Sequence, residues 1–105
     1  MTKEELTQGY YLIREIREWQ KKLMECDLEP ASIECICAKV LELKQKKEVV
    51  TNFIMGIEDS QTRLIFKLRC LDGLTWNQIA DRIGGMNSED TMKKRFYRYL
   101  QKTAG

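Results

Sequence analysis

Residues 73–88 read Gly73-Leu74-Thr75-Trp76-Asn77-Gln78-Ile79-Ala80-Asp81-Arg82-Ile83-Gly84-Gly85-Met86-Asn87-Ser88, and they hold both ends of one short helix and the start of another. Thr75 followed three residues later by Gln78 is a capping box, in which hydroxyl and amide each serve a free backbone N–H. Ile79, Ala80 and Ile83 then share one face, and Ala80 is small where a crossing helix must come close. Gly84-Gly85 breaks the helix and Met86-Asn87 completes a tight connection. Ser88 is a strong N-cap, with Glu89 and Asp90 in the first turn, where the helix dipole favours negative charge.

The helix so opened is expected over about Glu89 to Lys102. Met92, Phe96, Tyr99 and Leu100 form its apolar stripe, while Lys93, Lys94, Tyr97, Arg98 and Gln101 occupy the opposite surface with Arg95 at a border. A short helix, a Gly-containing turn and a basic amphipathic helix are the sequence shape of a helix-turn-helix. The second helix of such a unit enters a major groove about 12 Å wide and needs long polar side chains to reach base edges. Arg and Lys neutralise phosphates and release counterions, and the N-terminus of the first helix offers free N–H groups to a phosphate.

Upstream, residues 59–71 predict a third helix, capped by Asp59 or Ser60, with Leu64, Ile65, Leu68 and Leu71 at helical spacing, ended by Asp72-Gly73. Further upstream are two long amphipathic helices. Thr2 to Glu5 has the spacing of a capping box, Gly9 weakens the first turns, and Leu12, Ile16, Trp19, Leu23 and Cys26 make a stripe. Glu29-Pro30 ends that helix and starts the next. From about Ala31 to Ile57, the positions Ile33, Ile36, Val40, Leu43, Lys47, Val50, Ile54 and Ile57 make a heptad-like seam with one charged interruption. A short connection favours an antiparallel helical hairpin. The competing use of the seam is a homodimer through residues 31–57, with Ile36, Val40, Leu43, Val50 and Ile54 as its candidate contacts. A seam pattern alone does not name its partner.

The expected fold is therefore all-α: an N-terminal antiparallel hairpin over 1–57, then a three-helix, helix-turn-helix domain over 58–105. The net charge of +2 conceals a division two residues past that boundary. Residues 1–59 carry nine Lys and Arg against twelve Asp and Glu, a net −3; residues 60–105 carry nine against four, a net +5. The basic half is where an anionic partner would bind. The sequence has no His, no P-loop, no paired carboxylates in an apolar setting and no nucleophile beside a base, which argues against an enzyme and against a small-molecule substrate. Cys35 and Cys37, two apart on a helix, point to different sides, so the four cysteines are expected to be ordinary reduced thiols and not a metal site; no cofactor is expected. No apolar run approaches the ~18 residues of a membrane span, and the acidic start lacks a signal-peptide core. The expected address is the cytosol.

Residues 57–101 resemble the sigma-factor region-four helix-turn-helix, most of all its small sigma-like variant in prophages of Gram-positive bacteria. The likeness rests on Arg63 with Leu64-Ile65-Phe66, on Leu68-Arg69, on Gly73-Leu74-Thr75-Trp76 with Ile79-Ala80 and Ile83-Gly84, and on Ser88 opening the last helix. It covers under half the chain, and the Gly84-Gly85-Met86-Asn87 turn is longer than in ordinary sigma factors. The resemblance implies sequence-specific binding of double-stranded DNA, Ser88 to Gln101 as recognition helix, and contact with RNA polymerase. No core-binding region precedes the module, so a standalone regulator is expected and not a complete sigma factor.

The candidate DNA-binding residues are Thr75, Trp76, Gln78, Asn87, Ser88, Thr91, Lys93, Lys94, Arg95, Tyr97, Arg98 and Gln101. Arg63, Arg69, Arg82 and Lys102 are candidate phosphate contacts. Each has a plainer use: Trp76 in the core, Arg63 and Arg69 paired with Asp59 and Asp72, Lys93-Lys94-Arg95 as a solvated face. Two other functions fit the same sequence: a small terminase-like DNA-packaging adaptor that oligomerises through its helices, and a module whose basic face binds polymerase or another acidic protein.

Overall fold

The computed structural model describes residues 1–25 and 27–104. Within them lie five α-helices and no strand: α1 (Lys3–Leu23), α2 (Pro30–Met55), α3 (Ser60–Phe66), α4 (Trp76–Ile83) and α5 (Glu89–Ala104). α3 runs on without a break into a widened, π-helical turn over Lys67–Leu71, marked by the Asp72 N–H reaching back five residues to the Lys67 carbonyl at 3.2 Å.

α1 starts where its cap requires. The Thr2 hydroxyl accepts from the Glu5 N–H at 3.2 Å, satisfying one of the helix's orphan donors. Leu6, in the next turn, is wholly buried, so the apolar stripe begins earlier than Leu12. The helix closes at Leu23; Cys26, expected to end the stripe, lies outside the described residues. Glu29 is extended, as a residue before Pro must be, and Pro30 opens α2 where no N–H is needed.

The long helices cover one another. Ile16, Val40 and Leu43 form a buried cluster with half-buried Leu12, Trp19 and Ile36, while Leu6, Val50 and Ile54 join the main core. Partners thus climb one helix as they descend the other. The seam offered for a dimer is taken up inside one chain. Ile36 packs on this cluster, and Val40, Leu43, Val50 and Ile54 are 7% exposed or less, with α1 and the main core covering them. Ile33, at the start of that seam, stays exposed.

The main core gathers Ile57, Ile65, Phe66, Leu68 and Cys70 with Trp76, Ile79, Met92, Phe96 and Leu100. Phe66 stacks on Phe96 with ring centres 4.4 Å apart, and Trp76 meets Phe96 edge-on at 5.2 Å. Leu64 is turned outward instead of inward, and Cys70 is carried into the core on the widened turn. Burial pushes the Cys70 thiol up to about 12, so it stays protonated.

The join between α1 and the widened turn depends on a missing side chain. A Cβ on Gly9 would stand 2.7 Å from the Cys70 carbonyl oxygen and 3.1 Å from Val50 Cγ1. Gly9 costs α1 about 1 kcal/mol of helix propensity relative to Ala, and in exchange the backbones touch. Gly9→Ala is therefore expected to lower stability by about 1–3 kcal/mol despite its better helix propensity, read as a shift of the urea midpoint.

Asp59 caps α3, accepting from the Thr62 N–H at 2.9 Å and the Thr62 hydroxyl at 2.8 Å. Those two bonds hold its carboxyl below the usual carboxylate range. A folded value below the unfolded one contributes stability above the unfolded pKa, and that stability is lost as pH falls through the folded value. Asp59→Asn should lower stability near neutral pH and flatten the acid limb of a stability-versus-pH curve.

Candidate nucleic-acid interface

Two capped helices and a stapled turn hold the candidate surface. At the start of α4 the Thr75 hydroxyl accepts from the Gln78 N–H at 3.2 Å, and the Gln78 side-chain oxygen accepts from the Thr75 N–H at 2.9 Å. The box expected from the spacing is formed. Trp76, Ile79 and Ala80 face inward. The chain then leaves α4 through Gly84 and Gly85, at φ +74° and +71°, a left-handed path that a side chain would strain. The Asn87 amide donates to the Gly84 carbonyl at 3.0 Å and closes the turn. Ser88 caps α5, its hydroxyl accepting from the Thr91 N–H at 3.2 Å and meeting the Thr91 hydroxyl at 2.9 Å.

α5 packs through Met92, Phe96 and Leu100, all 9% exposed or less. With that stripe fixed, helical geometry turns Lys93, Lys94, Arg98, Gln101 and Lys102 outward, and all five are exposed. Asp90, Lys93, Lys94, Tyr97, Arg98 and Gln101 line one shallow depression on this face. None of the cations is in an ion pair among the described residues, although Glu89 and Asp90 stand four residues before Lys93 and Lys94. Tyr97 is half-buried beside Trp76, and the Lys3 ammonium from α1 lies over its ring, 5.0 Å from the centre. Sequence spacing gives no hint that Lys3 and Tyr97 meet.

Several candidates have structural work instead. Trp76 is 7% exposed, packed edge-on against Phe96 with the Arg69 guanidinium 4.6 Å from its ring centre, so its indole is not presented to a ligand. Arg69 also donates to the Leu74 carbonyl at 3.0 Å, bracing the approach to α4. Arg63 donates to the Ile57 carbonyl at 2.7 Å and tidies the exit from α2. Neither Arg pairs as the sequence suggested: Asp72 takes Lys67 at 2.7 Å, and Asp59 takes Thr62. Arg95 bonds to Gln61 of α3 and ties α5 down. Thr75, Gln78 and Asn87 are held by their own turns, Thr75 and Gln78 at an exposed rim and Asn87 half-buried. Ser88 and Thr91 are exposed at the tip of α5, and Arg82 is exposed on α4.

Among the described residues no group of three His, Cys, Asp or Glu side chains could hold a metal ion, and no helix is long and apolar enough to cross a membrane. Comparison of the chain with family models, with curated proteins and with solved structures finds no match.

The division between structural and free side chains is measurable. Trp76→Ala should cost about 3–5 kcal/mol of stability by opening a cavity against Phe96, whereas Lys94→Ala and Arg98→Ala should stay within about 0.5 kcal/mol. Thermal unfolding of the three variants reads the difference.

Proposed function

We propose that the chain is a sequence-specific, double-stranded DNA-binding transcriptional regulator of phage or prophage type. In this reading α4 and α5 form a helix-turn-helix, α3 completes its three-helix domain, and the α1–α2 hairpin packs on that domain through Leu6, Val50 and Ile54. The observation that carries the reading is the outward face of α5. Lys93, Lys94, Arg98 and Lys102 project from a helix anchored by Met92, Phe96 and Leu100, without an ion pair among the described residues. Free cations on a rigid helix neutralise phosphates and release counterions, and Arg98 and Gln101 have the reach and the donors to read base edges. α4 then crosses the backbone with the free N–H groups of its first turn toward a phosphate. The resemblance of residues 57–101 to sigma region four agrees with this arrangement, and contact with RNA polymerase follows from that resemblance alone.

Fluorescence anisotropy with random-sequence and selected duplexes tests the reading. Binding is expected at low salt and should weaken steeply as salt rises. Lys94→Ala and Arg98→Ala are expected to weaken it by about 1–3 kcal/mol where the side chain reads a base, or to reduce the salt slope by about one where it meets a phosphate. Absence of duplex binding at low salt, or indifference to both substitutions, overturns the proposal. A ring of many subunits would favour the packaging adaptor instead.

A further inference from the structure

α2 carries a second regular stripe on a face it does not share with α1. Cys37, Leu41, Lys44, Glu48, Thr51 and Met55 step by 4, 3, 4, 3 and 4, which is the spacing of an interhelical seam. Leu41 is 59% exposed and Met55 69%, large values for apolar side chains at the centre of a long helix and at its end. Cys37, Lys44 and Glu48 are exposed, and Thr51 is half-buried with its hydroxyl turned back to the Lys47 carbonyl at 3.0 Å. Lys44 and Glu48 take part in no ion pair among the described residues, while Lys39, Glu42 and Lys46, on another face of the same helix, pair at 3.1 and 3.3 Å.

The stripe matches itself when it is reversed. Two copies of α2 laid antiparallel across a two-fold axis between Lys44 and Glu48 set Cys37 against the partner's Met55, Leu41 against the partner's Thr51, and Lys44 against the partner's Glu48. Each pair occurs twice, as a two-fold interface requires. A parallel alignment would oppose Lys44 to the same residue of its neighbour, and Glu48 likewise, and would repel. At the Met55 end, Thr51, Met55, Leu64 and Leu71 line a shallow groove, and in this arrangement the Cys37 end of the other copy would lie along it. We infer that the chain forms an antiparallel two-fold dimer through this face of α2. The contact leaves the seam with α1 intact and uses none of the α5 cations, so it stands independently of DNA binding.

Charge reversal tests the pairing. By sedimentation equilibrium, Lys44→Glu or Glu48→Lys alone should raise the dimer dissociation constant about tenfold or more, and the double reversal should restore it to within about threefold. Both positions are exposed, and circular dichroism confirms that each variant keeps its helix content. Met55→Cys should give a disulfide-linked dimer on mild oxidation that disappears when Cys37→Ser is added. A monomer at every concentration, which would leave this face to another protein, overturns the inference. So does a dimer indifferent to both single reversals, or one in which the introduced Cys does not link to Cys37.

Discussion

The stack of Phe66 on Phe96, with Trp76 edge-on beside it, is the contact on which the rest of the C-terminal half depends. It joins α3, α4 and α5 at one point, and Phe53 and Tyr99 extend it toward the end of α2. Aromatic rings bury large areas and prefer a few geometries, so this cluster fixes the rotation of α5 as well as its position. Once Phe96 is inward, Met92 and Leu100 must follow at helical spacing, and Lys93, Lys94 and Arg98 must face solvent. The Arg69 guanidinium, 4.6 Å from the Trp76 ring centre, adds a cation–π contact to this cluster.

The acidic half is held to this unit by close backbone approach. Gly9 lets α1 touch the carbonyl of Cys70 in the widened turn, and Gly73, at φ +70°, lets the following loop lie against the Tyr10 ring. At the other end of the two long helices, Ile16, Val40 and Leu43 form a second buried cluster of their own. The result is an elongated body, 54 Å by 30 Å by 18 Å. The uneven charge along the chain therefore becomes an uneven charge in space: cations on α5, and a run without a basic residue between Leu23 and Ala38 at the far end.

Much of this is legible in the sequence. Helix existence followed from caps and periodicity, because Thr2, Asp59, Thr75 and Ser88 each act through bonds only three residues long. What escaped lies beyond the reach of a cap, in contacts from five to thirty-four residues apart. Arg63, Arg69 and Arg95 look like free cations in a list of residues, yet each is occupied by a carbonyl, a ring or an amide that only the fold brings near. The exposure of Leu64 and burial of Cys70 go with a π-helical turn that no sequence period announces. Gly9 reads as a weakness until its neighbour across the interface is known. The seam of α2 was legible as a seam, but its partner was not, since the same apolar spacing serves a neighbouring helix or a second chain equally well.

In the proposed reading the free face of α5 is the surface that meets DNA. Backbone amide shifts of 15N-labelled protein during titration with a bound duplex test it most directly. The shifts are expected to concentrate on Ser88 to Lys102 and the first turn of α4, with the Ile16, Val40 and Leu43 end unmoved. Shifts confined to α1 and α2, with α5 unchanged, would contradict it.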